Sequence, residues 1–368
     1  MHINILYSSH TPGMHYGGQI SLYNLVKRLD REKYDLCLVC PAPGPLSRAF
    51  SKINCKITYL SFPQIRFCNI FKIPIILIKT LTLLKNNNIQ IVHSDHPTDT
   101  FYLAVCARIL RIPLIWHARV SFSSRLDSIN LRLVSKVIGV SDAVSKRFEY
   151  SGRVSPKYIT IFNGVDSGKF SSKGIGRVRQ ELGLNSNEMI ITTICQMKPE
   201  KGIQNFIEAA KRIQKHSENC YFIMVGSGDE TFIENQKKRI NKYGLQTHVY
   251  WLGVRTDIVN ILDVTDVFIL ASMPNVEGLP RVVIEAMSCG KPVVGTDVHG
   301  INEAVEDGVT GLLVPHENPE SLAHATLTLV KDIEKRRVMG RSGRENVKKK
   351  FSIESNVSKT ARLYEQLI

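Results

Sequence analysis

Residues 277–303 read EGLPRVVIEAMSCGKPVVGTDVHGINE and predict a loop, a short helix and a strand in close succession. Pro280 has the fixed backbone angle that suits the first turn of a helix, where a missing N–H costs nothing. The run 280–289 therefore predicts one short helix. It should end there because Gly290 can adopt a left-handed cap and Pro292 cannot continue the helix. The apolar residues that follow predict a strand.

Two carboxylates, Glu277 and Glu285, flank the start of this helix eight positions apart. The N–H groups at a helix N-terminus attract anions, most often phosphate. Glu277 lies just before the helix, where it can accept hydrogen bonds from sugar hydroxyls, and Glu285 is placed to reach a ribose diol. The arrangement suits a nucleotide-sugar. The alternative is that Glu277 is a loop charge and Glu285 a solvated helix residue.

The whole string resembles the glutamate–seven residues–glutamate motif of glycosyltransferase family 4, whose members are retaining enzymes of the GT-B fold. The likeness continues through EDGVTGLLVP at 306–315 and extends, more loosely, over nearly the whole chain. It implies that Glu277 holds the donor sugar and Glu285 the ribose. It also places neighbouring residues against the donor: Gly278, Leu279, Pro280 and Arg281.

Strands and helices alternate through both halves of the chain, which predicts an α/β protein of two Rossmann-like domains facing a cleft. A chain of 368 residues has room for two such domains. We expect an N-terminal acceptor domain at 1–168 and a C-terminal donor domain at 169–352, since a polar, glycine-rich stretch begins near the boundary. The final run, 353–368, resembles the family's terminal helix, which crosses back to the first domain.

The first domain opens with an apolar strand, a loop that contains Gly17 and Gly18, and a helix. The spacing is not that of the dinucleotide-binding GxGxxG motif, so the glycines indicate either a close backbone approach or a plain turn. In the resembling family this loop faces the donor phosphates and the acceptor. Further along, we interpret the apolar segment 70–84 as a buried crossover helix. The alternative is a basic, apolar surface that contacts lipid.

His117 ends a predicted strand in the run PLIWHAR, and open α/β sheets bind ligands at the carboxyl ends of their strands. A lone histidine is usually structural. The family resemblance implies, however, that a histidine at this strand end contacts the donor sugar near its anomeric carbon. The weaker candidates nearby are His10, His15, His93 and Arg119.

The second domain supplies the cation expected to neutralise a departing diphosphate. In the family, the turn after the first strand of this domain usually carries an arginine and, five residues later, a lysine. Here the lysine is Lys201, but Gln196 stands at the arginine position, so one charge is missing. Helix amides or Arg281 would have to compensate. Gly226, in the turn GSGD, predicts another close approach on the donor side.

Composition and charge restrict the class of protein. No apolar run has transmembrane length, no signal peptide is expected, and eight scattered cysteines suit the reducing cytoplasm. The net charge of +15 is uneven: residues 1–165 hold 21 Lys and Arg against 8 Asp and Glu, and residues 166–368 hold 27 against 25. The basic first half predicts an anionic partner, either nucleic acid or a membrane surface.

The residues and the resemblance together predict a retaining glycosyltransferase that moves a hexose or hexosamine to a glycan or lipid-linked acceptor. The donor is a nucleotide-sugar, UDP-linked rather than GDP-linked, and the predicted catalytic residues are His117, Lys201 and Glu277. The expected setting is surface polysaccharide or lipopolysaccharide assembly in bacteria, at the cytoplasmic face of an anionic membrane.

The nucleotide-sugar is a substrate, so no cofactor is expected. Because the chain has no Asp-x-Asp pair, we expect no metal either. Two alternatives remain. One is a GT-B-like nucleotide-sugar epimerase or hydrolase. The other is a basic nucleic-acid-binding protein, although no recognised nucleic-acid motif is present.

Overall fold

The computed structural model describes residues 2–14, 17–121, 123–150, 153–172 and 174–368. The chain forms two compact units, Met1–Gly164 together with Ile353–Ile368, and Val165–Ser352. At the start of the second unit, the Val165 amide donates to the Phe351 carbonyl across 2.9 Å, and Val165 pairs with Ser352. The polar stretch that suggested the boundary therefore lies inside the second unit.

The first unit is built on strands that are mostly parallel. They are β1 (Ile3–Ser8), β2 (Tyr34–Cys40), β3 (Lys56–Tyr59), β4 (Ile91–Ser94), β5 (Leu114–Ala118), β6 (Lys136–Gly139), β7 (Glu149–Tyr150), β8 (Arg153–Val154) and β9 (Tyr158–Thr160). Seven of them form a parallel sheet in the order β3-β2-β1-β4-β5-β6-β9, and β7 pairs with β8 in an antiparallel ribbon. The helices are α1 (Gly17–Val26), α2 (Pro45–Ser51), α3 (Ile73–Asn86), α4 (Pro97–Ile109) and α5 (Asp127–Leu133).

The central strands of this sheet are apolar at consecutive positions, because helices cover both faces of a parallel sheet. Ile5, Leu6 and Tyr7 are all fully buried although neighbouring side chains of a strand point to opposite faces. The glycines expected in a loop after β1 lie elsewhere: α1 begins at Gly17, so both Gly17 and Gly18 belong to its first turn.

The interpretation of segment 70–84 as a buried helix is wrong for its first half. A 3₁₀ helix spans Phe67–Lys72 and α3 follows, with burial in α3 limited to Thr80, Leu83 and Leu84. Phe71, Ile75 and Ile78 are 86%, 55% and 63% exposed. The reason is that, in the described part of the chain, α4 is the main helix packed against α3, so the apolar residues of α3 that point away from α4 face solvent.

The second unit repeats this plan. Its strands are β10 (Met189–Ile194), β11 (Cys220–Val225), β12 (Val249–Trp251), β13 (Val267–Leu270), β14 (Val293–Thr296) and β15 (Gly311–Val314). Its helices are α6 (Arg177–Glu181), α7 (Ile203–Gln214), α8 (Glu230–Lys242), α9 (Ile258–Val264), α10 (Arg281–Ser288), α11 (Ile301–Ala304), α12 (Pro319–Lys331) and α13 (Ile333–Lys350). All six strands are parallel, in the order β12-β11-β10-β13-β14-β15. Counted from β10, this is the 3-2-1-4-5-6 order of the Rossmann fold.

The short helix predicted at 280–289 is α10, with Pro280 as its N-cap residue rather than inside the first turn. Its end is confirmed: Gly290 has φ +71°. The Gly290 amide donates to the Met287 carbonyl and the Lys291 amide to the Ala286 carbonyl. This pair of hydrogen bonds is a Schellman motif, which is how a glycine terminates a helix.

The last helix, α14 (Ile353–Glu365), belongs to the first unit. Leu363 and Tyr364 are buried in that unit's core. The Asn356 side-chain amide donates to the Phe162 carbonyl at 2.7 Å. Within the described part of the chain, no helix has the length and apolar character needed to span a membrane.

Candidate active site

The strand order of the second unit's sheet reverses between the neighbouring strands β10 and β13, which form its topological switch point. In open α/β sheets the loops that follow such strands form the crevice where ligands bind. The loop after β10 carries Lys201, and the loop after β13 carries Glu277. A backbone hydrogen bond of 2.8 Å from the Met273 amide to the Glu200 carbonyl joins the two loops.

Glu277 is held by two donors. We call five side chains of the second unit the glutamate cluster: Lys201, Ser272, Glu277, Arg281 and Glu285. The Lys201 ammonium lies 2.5 Å from Oε1 of Glu277, and the Ser272 hydroxyl donates to the same oxygen at 2.6 Å. The Lys201 and Glu277 side chains are only 17% and 9% exposed. A carboxylate so far from water needs both a cation and a hydrogen-bond donor, and this one has both.

Glu285 is paired in the same way on α10. The Arg281 guanidinium donates to Oε1 of Glu285 at 2.5 Å, four residues apart on one helix face. Both side chains are about nine-tenths buried. The Arg281 guanidinium therefore already neutralises Glu285. To replace the missing arginine charge as predicted, it would have to serve a second anion as well.

The turn that connects Glu277 to α10 is buried and closely packed. Gly278, Leu279 and Pro280 are all buried. Sequence reasoning assigned no role to Gly300, although it lies in the GINE run of the motif. Gly300 has φ +86°, and a Cβ there would lie 2.5 Å from the Gly278 carbonyl oxygen and 3.2 Å from Cβ of Glu277. Gly300 therefore lets the chain after β14 press against the residues that hold the carboxylate.

The turns after β10 and β11 are held together by backbone contacts. The Met197 amide donates to the Ser227 carbonyl at 2.9 Å. Gly226 has φ +140°, and a Cβ there would lie 1.9 Å from the Cys195 carbonyl oxygen. Close packing between the two turns thus explains why residue 226 is a glycine. Contact of Gly226 with a donor remains a prediction. Gln196, at the position of the family arginine, lies half-buried in the first of these turns.

In the first unit, His117 is part of a buried polar chain. We call five side chains the histidine group: Tyr7, His93, His117, Arg119 and Tyr364. Nδ1 of His117 lies 3.0 Å from Nε2 of His93, which is on the neighbouring strand β4. Nδ1 of His93 lies 2.7 Å from the Tyr364 hydroxyl. Within the described part of the chain, Nε2 of His117 has no hydrogen-bond partner.

Both histidines of this group are neutral at physiological pH. Burial lowers the pKa of His93 to about 3, and the nearby Arg119 charge adds to the effect. Burial, Arg119 and His93 lower the pKa of His117 well below its usual value. A cation is disfavoured at these positions because neither charge would be hydrated and Arg119 repels both. His117 can therefore offer a substrate a neutral imidazole.

The remaining first-unit candidates surround this group. Arg119 lies 3.6 Å from the Asp95 carboxylate, and burial raises the pKa of Asp95 to about 6. Gly18 faces Arg119, since a Cβ on it would lie 3.1 Å from Cδ of the arginine. His15 lies outside the described residues, and Gly17 lies at the exposed start of α1.

His10 forms a second cluster with His96 and Asp99. Nδ1 of His10 is 2.7 Å from the buried Asp99 carboxylate, and the two imidazoles stack with centroids 3.8 Å apart. The hydrogen bond to Asp99 raises the pKa of His10. The ligand atoms of the three residues lie within 4.8 Å of one another, so they could hold a metal ion. His96 Nδ1, however, already accepts from the Thr98 amide at 3.3 Å.

Sequence reasoning missed Ser272, Asp95, Asp99 and Tyr364. Ser272 and Asp95 each follow a strand of a sheet by one or two residues, and polar side chains at strand ends are a recognisable signal. Tyr364 gives no such signal. It lies 271 residues from its partner His93, and only the packing of α14 brings the two together.

Two Rossmann-ordered sheets, with paired glutamates at the switch point of the second, define a glycosyltransferase of the GT-B fold. The chain belongs to glycosyltransferase family 4. Residues 16–169 match the family model described as Glycosyltransferase Family 4, and residues 175–346 match the model described as Glycosyl transferases group 1.

Two bacterial relatives act on lipid-linked sugars according to their names. The chain is 28% identical to the UDP-Gal:alpha-D-GlcNAc-diphosphoundecaprenol alpha-1,3-galactosyltransferase of Escherichia coli, over 92% of this chain and 91% of the relative. It is 26% identical to the N,N'-diacetylbacillosaminyl-diphospho-undecaprenol alpha-1,3-N-acetylgalactosaminyltransferase of Campylobacter jejuni, over 68% and 70%. These similarities support transfer of a sugar to an acceptor.

A solved structure shows the same fold. The crystal structure of HepE from Anabaena in complex with UDP superposes with a TM-score of 0.85 over all of both chains, at 23% identity.

Proposed function

We propose that this protein transfers a hexose or hexosamine from a UDP-sugar to a lipid-linked glycan, with retention of configuration at the anomeric carbon. The observation that carries the proposal is the glutamate cluster. It contains two nearly buried carboxylates, each paired with a cation, beside the switch point of a Rossmann-like unit. Carboxylates accept strong hydrogen bonds from sugar hydroxyls, and cations at the same place stabilise a departing diphosphate.

Each member of the cluster has a separate task in this proposal. Glu277 accepts hydrogen bonds from the donor sugar, and Glu285 accepts them from the ribose. Lys201 neutralises the diphosphate, together with the turn at Gly278–Pro280 and the N-terminus of α10. His117 contacts the donor sugar near its anomeric carbon, as the family resemblance implies.

Retention follows from a route without a protein nucleophile. Oε1 of Glu277 is engaged by Lys201 and Ser272, which lowers the electron density available for attack on carbon. The acceptor oxygen instead forms the new bond to the anomeric carbon while the bond to UDP breaks on the same face. The acceptor's proton passes to the departing phosphate oxygen. Two carboxylates flanking the bond, as in glycoside hydrolases, are not needed.

The identity of donor and acceptor rests on the two bacterial relatives, whose names specify sugars on diphospho-undecaprenol and, for the Escherichia coli enzyme, a UDP-linked donor. This supports a polyprenyl-diphosphate sugar as the acceptor class, in the assembly of a surface polysaccharide or lipopolysaccharide. The C. jejuni relative adds an N-acetylhexosamine, so both hexose and hexosamine donors are candidates.

The test is a matrix of donors and acceptors. UDP-Gal, UDP-Glc, UDP-GlcNAc, UDP-GalNAc and GDP-Man are each incubated with and without GlcNAc-diphosphoundecaprenol, and nucleotide release and lipid-linked product are measured. We expect UDP release that requires the acceptor, and an α-linked product by the anomeric coupling constant. Equal UDP release without acceptor would indicate a hydrolase. Conversion of one nucleotide-sugar into another would indicate an epimerase.

A surface on the first unit supports access to such an acceptor. We call it the basic apolar face, and it consists of Phe71, Lys72, Ile75, Ile78 and Lys79. All five side chains are exposed on the 3₁₀ helix and the first turns of α3. Exposed apolar residues between lysines are typical of a segment that lies in the headgroup region of an anionic membrane. We therefore propose peripheral binding at the cytoplasmic face of the membrane.

A further inference from the structure

Four buried hydroxyls and imidazoles of the first unit form a continuous line of hydrogen bonds. The Tyr7 hydroxyl lies 3.1 Å from the Tyr364 hydroxyl, which lies 2.7 Å from Nδ1 of His93. Nε2 of His93 lies 3.0 Å from Nδ1 of His117. The four residues come from β1, α14, β4 and β5, and none is more than 2% exposed. The line ends at Nε2 of His117.

Hydrogens can be placed along this line in two orders. In the first, Tyr7 donates to Tyr364, Tyr364 to His93, and His93 to Nδ1 of His117, which leaves a hydrogen on Nε2 of His117. In the second, every bond is reversed and Nε2 of His117 carries a lone pair. Both orders make the same three hydrogen bonds when both imidazoles are neutral. Something outside the line must therefore select between them.

Arg119 makes the selection. Its Nη2 lies 3.5 Å from Nδ1 of His117, and a guanidinium is always a donor and always positive. A lone pair on Nδ1 is attracted to that charge, whereas an N–H there is repelled by it. The first order is compatible with Arg119 and the second is not. Burial of the guanidinium beside Asp95 keeps the charge in place and poorly screened.

We propose that Tyr364, acting through His93, is a positioning residue that holds His117 in the tautomer with its hydrogen on Nε2. His117 is then a hydrogen-bond donor to its substrate. It cannot act as the base that removes the acceptor's proton. A donor beside the anomeric carbon can bind a sugar hydroxyl or the departing oxygen, and this last step rests on the proposed function.

The order of hydrogens can be measured without substrate. The full-length protein is labelled with ¹⁵N at its histidines, and long-range ¹H–¹⁵N correlation reports which ring nitrogen of each neutral imidazole carries hydrogen. The spectrum of a His117→Asn variant identifies the His117 signals. We expect His117 to carry its hydrogen on Nε2 and His93 on Nε2 as well. A hydrogen on Nδ1 of His117 would overturn the proposal, whatever reaction the enzyme performs.

Tyr364→Phe tests the part played by the hydroxyl, with Tyr34→Phe as the matched control. Tyr34 packs edge-on against the Tyr364 ring, and its hydroxyl bonds to Glu365 outside the line. We expect Tyr364→Phe to mix the two tautomers of His117. Its kcat should fall about tenfold, the scale of a lost orienting partner, with donor KM changed less than twofold. Tyr34→Phe should match the wild type.

The two readouts separate the proposal from a merely structural role and from the proposed function. A Tyr364→Phe variant with unchanged tautomers and kcat would show that Tyr364 does not position His117. If Tyr364→Phe and Tyr34→Phe lower the melting temperature and kcat equally, the effect is one of packing, and that result would also contradict the proposal. If the tautomers mix while no donor in the matrix is turned over, the positioning stands and the proposed function falls.

Discussion

The glutamate cluster and the histidine group both bury polar side chains, and they offset the cost of that burial in opposite ways. In the cluster, each carboxylate is paired with a cation, Glu277 with Lys201 and Glu285 with Arg281. In the histidine group the imidazoles are kept neutral, with the pKa of His93 lowered to about 3 by burial. The glutamate cluster balances each carboxylate with a cation, whereas the histidine group keeps its two imidazoles uncharged.

Under the proposed function, the difference suggests a division of tasks. Paired charges can exchange partners when a diphosphate and sugar hydroxyls arrive, since the total number of ionic contacts need not fall. A neutral imidazole beside the reacting carbon adds a directed hydrogen bond without a second positive charge that would oppose an oxocarbenium-like centre. If this division is correct, substitutions in the two regions should change different kinetic constants.

The largest effect is expected at Glu277. Glu277→Gln keeps the shape of the side chain but removes the charge that the proposed function places against the sugar, and it leaves the Lys201 ammonium without a carboxylate at this position. We expect kcat to fall by at least ~10²-fold, the scale of a lost charged contact at the reacting centre. Steady-state kinetics with saturating donor measures this.

Glu285→Gln is the matched control, since it is the same change within the same motif. It should leave most of kcat in place. An active Glu277→Gln variant would remove Glu277 from the reaction and reduce the cluster to a structural ion pair. Melting temperatures of both variants show whether either loss reflects unfolding.

A smaller effect, on binding rather than turnover, is expected from Glu285→Gln itself. A charge-assisted hydrogen bond to the ribose contributes about 1.5–3 kcal/mol, so UDP affinity should weaken by roughly 10- to 150-fold. Titration calorimetry with UDP measures the change. Unchanged affinity would contradict the ribose role and would leave Glu285 as the partner of Arg281 only.

The comparison also shows which parts of the molecule a sequence can reveal. Glu277, Arg281 and Glu285 lie in one short stretch of the sequence, so their spacing already places both carboxylates near one helix start. The Schellman end of α10 was likewise predictable, because Gly290 and Pro292 act locally. The histidine group has no such local pattern. Its members are separated by up to 357 residues, and their contacts depend on tertiary packing.

Burial of α3 was not predictable for a related reason. The apolar residues of segment 70–84 occupy most of the helix circumference, so periodicity does not distinguish a helix packed on all sides from one packed on a single side. The tertiary structure decides which residues are buried: α4 packs on one face of α3, whereas Phe71 and Ile78 are exposed. The exposed residues then gave the basic apolar face.

A third prediction compares the two units at a membrane. Phe71→Ser combined with Ile78→Ser removes about 0.7 kcal/mol of apolar insertion per side chain, since each would be only partly buried. Binding to phosphatidylglycerol vesicles should therefore fall about tenfold. High salt should weaken the remainder, because the lysines act through Coulomb attraction that is screened beyond about 3 Å at 1 M salt. Sedimentation with vesicles measures both changes.

Ile175→Ser is the control for this prediction. Ile175 is 61% exposed, a fraction similar to that of Ile78. It lies in the second unit, which carries little net charge. Its substitution should leave vesicle binding unchanged. Equal binding of wild type to neutral vesicles, or an equal loss in the control, would refute the membrane role of the basic apolar face.

The smallest expected effect is that of metal removal, and it separates the two regions most directly. The chain has no Asp-x-Asp pair, and the proposed function assigns the positive charge that neutralises the diphosphate to Lys201 at the switch point. We therefore expect activity within about twofold of its starting value after treatment with excess EDTA. Loss of activity that Mg²⁺ or Mn²⁺ restores would contradict this, since these ions prefer oxygen ligands and would have to bind the diphosphate itself.

Restoration by Zn²⁺ alone would instead implicate His10, His96 and Asp99, because imidazole and carboxylate are zinc ligands. An Asp99→Asn variant decides that case: if its activity no longer responds to zinc, the metal acts in the first unit and the glutamate cluster still neutralises the leaving group unaided.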